Sequence, residues 1–165
     1  MHQSSYDIIQ NFSNKYVIGG NTILDIGSCD VNGNYRGIFE HCKYIGLDIV
    51  RGPNVDLMVN DPYDWKEIKY CSVDVVICGS VLEHVKWPWQ TLVEIHKVLK
   101  YGGYFCIVAP AIWPQHNHPL DCYRYYPDGL RALCEWASLE CLECDLLISS
   151  EDPTWFDCYC IGVKQ

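Results

Sequence analysis

The stretch from Ile23 to Gly33 constrains the fold of this chain more than any other. The apolar run Ile23-Leu24-Asp25-Ile26 ends at Gly27 and opens into a short polar loop that contains a second glycine. Such a run before a small-residue loop is typical of a buried parallel strand, and open α/β folds bind ligands at the carboxyl ends of such strands. We therefore expect a small-molecule site at the end of this strand.

The loop after this strand narrows the chemistry of the ligand. A dinucleotide site needs Gly-x-Gly-x-x-Gly for close approach to a pyrophosphate, whereas Gly27 is followed by Ser28 and Cys29. Asp25 would repel a phosphate and attract a cationic ammonium or sulfonium group. Asp48 ends a second apolar run about 20 residues after Gly27, where doubly wound folds place the acid that binds ribose hydroxyls. A ligand with a ribose and a positive charge but no pyrophosphate is S-adenosylmethionine.

Five segments of the chain together carry one family pattern. They are Ile23–Gly27, Gly46–Asp48, Asn60–Asp61, Val73–Val85 and Val98–Tyr104. In order and spacing they resemble the motifs of class I S-adenosylmethionine-dependent methyltransferases, and the likeness extends over residues 20 to 165. The resemblance implies methyl transfer from S-adenosylmethionine as cofactor. It also implies a Rossmann-like α/β three-layer sandwich with a seven-stranded, mostly parallel sheet in the order 3-2-1-4-5-7-6, whose last strand is antiparallel.

The resemblance also implies which residues bind the cofactor. They are Asp25, Gly27, Ser28, Cys29, Asp48, Ile49, Asp61, Gly79 and Ser80. Asp61 would contact the adenine amino group, and Gly79-Ser80 would lie beside the transferable methyl group. Structural explanations remain open for two of these positions. Asp61 before Pro62 fits a helix N-cap, and Ser80 with Glu83 fits a capping box, which is the role we favour for Glu83.

Segment 110–127, rich in histidine and aromatic residues, is the candidate acceptor site because it follows a strand at the carboxyl edge of the predicted sheet. The candidate catalytic residues are His84, His118 and Asp121, and the candidate substrate contacts are His116, Tyr123 and Arg124. A histidine would take the proton of a hydroxyl acceptor, and Asp121 would orient an imidazole.

Two alternatives stay open for this segment. His84 would be a structural histidine, and the loop would pack on itself through an Asp121–Arg124 ion pair. The run His118–Tyr125 also resembles a segment of methyltransferases associated with glycan and sugar biosynthesis. This resemblance favours a sugar-like small molecule as acceptor.

Composition excludes several partners. A net charge of -9, with only 12 basic residues, argues against nucleic acid. No apolar run is long enough to span a bilayer and no leader pattern is present, so we expect a cytoplasmic protein. We expect residues 1–165 to form a single domain with a short N-terminal helix. Because that helix is short, we expect an open cofactor face that a homodimer or a partner closes. The alternative function is a non-catalytic subunit that binds S-adenosylmethionine.

The chain has 11 cysteines, which we interpret as reduced core thiols. Cys141-x-x-Cys144 and Cys158-x-Cys160 together have a metal-ligand spacing. In a strand, however, odd spacing places Cys141 and Cys144 on opposite faces. We therefore expect no metal site.

Periodicity and turn residues predict the remaining elements. We expect helices over residues 4–16, 34–41, 89–100 and 127–137, with Gly102-Gly103 ending the third. We expect strands over residues 23–27, 44–48, 55–59, 73–78, 104–109, 139–148 and 155–163.

Overall fold

A computed structural model describes residues 3–148 and 152–165 of the chain. Its strands are β1 (Thr22–Ile26), β2 (Lys43–Asp48), β3 (Leu57–Met58), β4 (Val73–Gly79), β5 (Leu99–Ile112), β6 (Glu140–Ile148) and β7 (Phe156–Val163). They form one sheet in the order β3-β2-β1-β4-β5-β7-β6. Strands β1 to β5 pair in parallel, and β7 is antiparallel to both β5 and β6. The predicted fold, including the reversed last strand, is confirmed.

Strand β4 lies at the centre of the sheet because both of its faces are apolar. Val75 and Ile77 belong to the core on one face, and Val76 and Cys78 belong to the core on the other. A strand alternates its side chains between faces. An unbroken apolar run is therefore what a strand covered on both sides requires.

Helices cover the two faces of the sheet. They are α1 (Gln3–Tyr16), α2 (Pro88–Val98) and α3 (Pro127–Trp136). The apolar stripe of α1, formed by Ile8, Ile9 and Phe12, packs on the Val75 face. Leu92 of α2 and Leu130 of α3 pack on the other face. The result is a three-layer sandwich in which α1 serves as core cover.

The helix predicted over residues 34–41 is wrong, because the chain forms only a single 3₁₀ turn, Arg36–Phe39. The carboxylate of Asp30 accepts hydrogen bonds from Gly33 N (2.7 Å) and Asn34 Nδ2 (2.7 Å), and Asn34 Oδ1 accepts from Arg36 N (3.1 Å). Such side-chain bonds hold a loop conformation that competes with the helix.

Two predicted helix starts are also wrong. Ser80 has a φ of 56° and its amide bonds to Val108 O at 2.8 Å, so the chain turns away from a helix at this point. Only the 3₁₀ turn Leu82–His84 follows, with no side-chain cap. Asp61 accepts a hydrogen bond from Tyr63 N at 2.8 Å in an Asx turn, and no helix begins there.

Three other element boundaries differ from the prediction. Helix α2 ends at Val98 rather than at Lys100, because Leu99 already has extended backbone angles and pairs with Val73. Strand β5 therefore runs from Leu99 to Ile112, much longer than predicted. Strand β3 has only two residues at the edge of the sheet.

The predicted separation of Cys141 and Cys144 is wrong. The pairing of β6 with β7 shifts register between Cys141 and Glu143. Such an irregularity breaks the strict alternation of side chains. The sulfur atoms of Cys141, Cys144 and Cys160 consequently lie within 4.8 Å of one another. We call these three residues the thiol cluster.

Among residues 3–148 and 152–165, no helix is both long and apolar enough to cross a membrane.

Candidate active site

A cleft of about 910 Å³ opens at the carboxyl ends of β1, β2 and β4. This volume is in the range of small-molecule sites. Eleven residues predicted from the sequence line it: Asp25, Gly27, Ser28, Cys29, Asp48, Ile49, Gly79, Ser80, His84, His116 and His118. Four others lie outside the lining, although the structure describes them all: Asp61, Asp121, Tyr123 and Arg124.

Asp48 ends β2 at the edge of the cleft and orders the loops around it. One carboxylate oxygen accepts the amide of Cys29 at 2.9 Å, and the other accepts those of Ile49 (2.7 Å) and Val50 (3.1 Å). A carboxylate has about four acceptor sites. One site therefore remains for a hydroxyl group in the cleft.

Asp25 lies deeper in the cleft, with 2% of its surface exposed. Burial raises the pKa of Asp25 to about 7, although the hydroxyl of Tyr44 donates to its carboxylate and favours the charged form. The carboxyl group is therefore balanced between its neutral and charged forms near neutral pH. A cation beside it would stabilise the charged form.

Glycines hold the loop that follows β1 in place. Gly27 has a φ of 70°, and a Cβ there would lie 2.3 Å from Val81 Cγ2. A Cβ on Gly52 would lie 2.5 Å from Cys29 Sγ. Only glycine allows both the left-handed backbone at residue 27 and the close packing of these loops.

An apolar wall forms the end of the cleft near β2 and β3. Val59 and Trp65 line it, and both are buried. Tyr63 stacks near Trp87 with ring centroids 4.9 Å apart, and its hydroxyl accepts the amide of Lys86 at 2.9 Å. The sequence pattern does not single out Tyr63 and Trp65, because they lie in an irregular segment with no periodic pattern. Their place after β3 is the signal that identifies them, since parallel strands deliver their following loops to one edge.

Tyr35 is another residue in the cleft lining that the sequence pattern does not single out. It is buried against the end of β4, where a Cβ on Gly79 would lie 2.3 Å from its hydroxyl. Its hydroxyl lies 2.6 Å from Ser5 Oγ on α1. Tyr35 therefore links helix α1 to the floor of the cleft.

Three histidines meet at the end of the cleft beyond Ser80. The ring centroids of His84 and His116 are 4.9 Å apart, and His118 lies 5.7 Å from His84 and 6.1 Å from His116. His84 Nδ1 contacts Leu120 O at 2.6 Å. Since a carbonyl only accepts, Nδ1 carries the proton and Nε2 has a free lone pair. Burial lowers the pKa of His84, so its imidazole is neutral at pH 7.

Glu83 completes this group, which we call the histidine corner: Glu83, His84, His116 and His118. Its side chain is 1% exposed, and neither carboxylate oxygen has a hydrogen-bond partner among the residues that the structure describes. Burial raises the pKa of Glu83 to about 8. Its backbone carbonyl accepts Cys122 N at 2.6 Å, which attaches the acceptor loop to this turn. The capping-box pattern had favoured a helix start for Glu83 instead of a place in this corner.

The ion pair between Asp121 and Arg124, expected for a loop that packs on itself, is present in the structure. Arg124 Nη2 donates to Asp121 Oδ2 at 2.7 Å, and Nη1 donates to the other oxygen. This pairing holds the pKa of Asp121 well below its usual range. The remaining Arg124 donors reach the carbonyls of Trp113, Pro114 and Tyr123. All five guanidinium N–H groups are used within the loop.

The lining residues fit S-adenosylmethionine. The apolar wall suits an adenine, the free acceptor site of Asp48 suits a ribose hydroxyl, and Asp25 suits a positive charge. Among the described lining residues, Lys86 is the one lysine and there is no arginine. A pyrophosphate would therefore find few partners here.

Comparison with known proteins gives a direct family match. Residues 24–107, just over half of the chain, match the family model of the methyltransferase domain. This range begins in β1 and ends in β5, so it includes the strands that form the cleft. No curated protein sequence matches the chain.

Solved structures share the fold over nearly the whole chain. The YcgJ protein of Bacillus subtilis has a TM-score of 0.75 at 14% identity, with 99% of each chain covered. The 1,6-didemethyltoxoflavin-N1-methyltransferase of Burkholderia thailandensis, solved with bound 1,6-didemethyltoxoflavin and S-adenosylhomocysteine, has a TM-score of 0.74 at 16% identity; 99% of this chain and 77% of that chain are covered.

A third structure is a complex. A chain assigned as a methyltransferase, bound to the Trm112 methyltransferase activator of Haloferax volcanii, has a TM-score of 0.74 at 18% identity, with 97% of this chain and 89% of that chain covered. Identities this low show a common fold, whereas the family match rests on the sequence. By that match, the chain belongs to the methyltransferase-domain family and is an S-adenosylmethionine-dependent methyltransferase.

Proposed function

We propose that this enzyme transfers the methyl group of S-adenosylmethionine to a hydroxyl group of a small molecule, with a sugar as the favoured acceptor class. The observation that carries the proposal is the group of three histidines in the histidine corner, His84, His116 and His118, which line the cleft beyond Ser80. A hydroxyl acceptor loses a proton during transfer, and histidine is the side chain best suited to take it near neutral pH.

The cofactor would be held by the strand ends. Asp48 would bind the ribose, and the loop that follows Gly27, with Ser28 and Cys29, would contact the methionine part. Ile49 would pack against the adenine, and Gly79-Ser80 would face the methyl end. The predicted contact of Asp61 with the adenine amino group requires the exposed Asx turn to approach the cleft.

Catalysis would rest on positioning and on proton transfer. Bound S-adenosylmethionine supplies a methyl group on a sulfonium, whose bond to carbon breaks with the electron pair remaining on sulfur. The cleft would hold the acceptor oxygen in line with that bond, which accounts for much of the acceleration in such reactions. The hydroxyl proton would pass to a neutral imidazole, and His84 and His118 are the two candidates.

Three of the predicted site residues would act by shaping the acceptor loop. Asp121 and Arg124 use their polar atoms on each other and on the loop backbone. The hydroxyl of Tyr123 donates to Lys86 O at 2.9 Å. We therefore assign them a positioning role, whereas His116 faces the cleft and would contact the acceptor.

Transfer of a labelled methyl group to a panel of acceptors tests this function. We expect transfer to hydroxylated sugars, and a loss of about 100-fold in kcat for His84→Ala or His118→Ala, with cofactor binding retained. The exposed His41 lies outside the cleft and provides the control His41→Ala. Unchanged turnover in both variants at saturating acceptor would exclude either histidine as the base.

The alternative remains a subunit that binds S-adenosylmethionine without catalysing transfer. The observation that favours it is the exposed apolar rim of the cleft, which includes Val31, Ile49, Val50 and Trp87. Binding of the cofactor without transfer to any acceptor in the panel would support this alternative. The single-domain organisation of residues 1–165 stays a prediction.

A further inference from the structure

We propose that Glu83, His84 and His116 bind a divalent metal ion of the zinc type at the acceptor end of the cleft. The ion would take the acceptor hydroxyl oxygen as a further ligand. The role in catalysis rests on the proposed function, whereas metal binding by these residues does not. The proposal replaces the sequence-based expectation that the chain has no metal site.

The donor atoms already converge. One ligand atom from each of the three residues lies within 4.8 Å of the others. Glu83 Oε1 is 3.6 Å from His84 Nε2 and 4.0 Å from His116 Nε2. These distances are too long for hydrogen bonds. Zinc bonds of about 2.1 Å in tetrahedral geometry separate ligand atoms by about 3.4 Å, so small side-chain movements would complete the site.

The other ring nitrogen of each histidine is held as in known metal sites. His84 Nδ1 contacts Leu120 O at 2.6 Å, and His116 Nδ1 lies 3.2 Å from Pro114 O and 3.8 Å from Asp121 Oδ2. Metal-binding histidines commonly donate their second ring N–H to a carbonyl or carboxylate, which directs the free lone pair at the metal. The Nε2 atoms of both histidines lie within 4.0 Å of the same oxygen, Glu83 Oε1.

Glu83 supplies the independent sign of a missing partner. It is a carboxylate with 1% exposure, and none of the described residues forms a hydrogen bond to its oxygens. A buried carboxyl group without a partner costs free energy, and a bound cation would favour its ionised form and offset that cost. The main chain of Glu83 is fixed by its carbonyl bonds to Cys122 N and Tyr123 N, so its side chain has little freedom to leave the corner.

Three protein ligands leave one coordination position for a substrate oxygen, the arrangement of catalytic zinc sites. A metal ion lowers the pKa of a bound hydroxyl group. With His84 and His116 on the metal, His118 remains to take the hydroxyl proton. The acceptor oxygen then bonds to the methyl carbon while the carbon–sulfur bond breaks and its electron pair stays on sulfur.

Titration of the chelator-treated full chain with Co²⁺ tests the site without any assay of activity. Nitrogen and oxygen ligands in a tetrahedral site give visible d–d bands, whereas thiolates add charge-transfer bands in the near ultraviolet. The second signal separates the histidine corner from the thiol cluster, which also offers soft ligands. We expect a Co²⁺ site whose visible bands remain in Cys160→Ser.

Variants of two corner residues test whether these residues bind the metal ion. We expect Glu83→Gln and His116→Ala each to weaken Co²⁺ binding by about 100-fold or more, and His41→Ala to leave it unchanged. Both variants should fold, because Glu83→Gln keeps the side-chain shape and His116 lies in a loop. Circular dichroism checks the fold of each variant. No Co²⁺ binding by the wild-type chain, or binding by both corner variants that is as tight as that of the wild-type chain, would overturn the proposal.

The same samples separate this proposal from the proposed function. S-adenosylmethionine should bind the metal-free chain as tightly as the metal-loaded chain, because the residues assigned to the cofactor, at the ends of β1, β2 and β4, include none of the three metal ligands. Cofactor binding without Co²⁺ binding would reject the metal alone. Co²⁺ binding with no methyl transfer to any hydroxylated acceptor would reject the proposed function alone.

Discussion

Asp25 is a buried side chain in the cleft whose raised pKa connects stability with pH. Its pKa in the folded chain is about 7, against an ordinary value of 3.8. The folded state therefore binds more protons than the unfolded state between these values, and stability falls as the pH rises through this window. A difference of about 3 between these two pKa values corresponds to a free energy on the order of 4 kcal/mol.

We predict that Asp25→Asn removes this pH dependence. The free energy of unfolding of the wild-type chain should fall between pH 4 and pH 7 relative to that of the variant, because the variant cannot ionise. Urea unfolding across this pH range measures the difference. A parallel pH dependence in the two proteins would contradict the assignment of the raised pKa to Asp25.

A second prediction concerns protons released on binding. The positive charge of S-adenosylmethionine should favour the ionised form of Asp25, so binding at pH 7 should release a fraction of a proton. Calorimetry in buffers of different ionisation enthalpy measures that fraction. Asp25→Asn should show none, and equal release by both proteins would assign the proton to another group.

Gly27→Ala is predicted to damage the cofactor loop. The substitution places a Cβ 2.3 Å from Val81 Cγ2 at a residue with a φ of 70°. We expect a loss of stability of about 2 kcal/mol and weaker cofactor binding. Gly129 lies inside α3 with nothing within 4 Å of a new Cβ, so Gly129→Ala should leave stability unchanged or raise it. Equal thermal shifts in the two variants would reject the steric argument.

At the scale of elements, periodicity predicted what depends on local pattern. The central strand, helices α1 and α3 and the terminal hairpin follow from apolar spacing, and motif order gave the sheet order. The helix over 34–41, the capping box at Ser80 and the separation of Cys141 from Cys144 failed. Side-chain bonds, a left-handed backbone angle and a register shift decide these features, and none of them leaves a periodic signal.

For the candidate site, too, the sequence predicted the residues whose place depends on local pattern and missed those whose role depends on distant contacts. Most of the residues predicted to bind the cofactor line the cleft because they sit at strand ends, whose position follows from the topology. Glu83 and Tyr35 were missed because their importance depends on contacts between distant segments. Arg124 was predicted to contact the substrate, whereas its donors all act within its own loop. Sequence spacing cannot show where a long side chain ends.

The end of helix α2 depends on Lys164, which follows β7. Its side chain is almost fully buried and donates to His96 O at 2.7 Å and Leu99 O at 2.9 Å. We expect Lys164→Met to lower stability by about 3 kcal/mol, because buried carbonyls lose charged donors. Lys100→Met, which removes a half-exposed ion pair with Asp74, should cost about 1 kcal/mol or less. Chemical denaturation compares them, and equal losses would contradict the role of Lys164.

At the scale of the whole molecule, the rim of the cleft exposes several apolar side chains to solvent. Trp87 is 46% exposed and Val31 67% exposed at the mouth of the cleft. Exposed apolar patches of this kind mark interaction surfaces. We expect a homodimer or a partner to cover this rim. Light scattering after size exclusion should give a mass of twice 19.0 kDa if the chain itself is that partner. A strict monomer that turns over the cofactor unaided would reject coverage of the rim.

Calorimetric titration with S-adenosylmethionine and S-adenosylhomocysteine, for the wild-type chain and Asp48→Ala, tests whether the cleft at the ends of β1, β2 and β4 holds the cofactor through Asp48. We predict micromolar binding of both ligands by the wild-type chain and a loss of about 100-fold or more in the variant, because a hydrogen-bonding carboxylate is removed. Equal binding by the two proteins would contradict the assigned site.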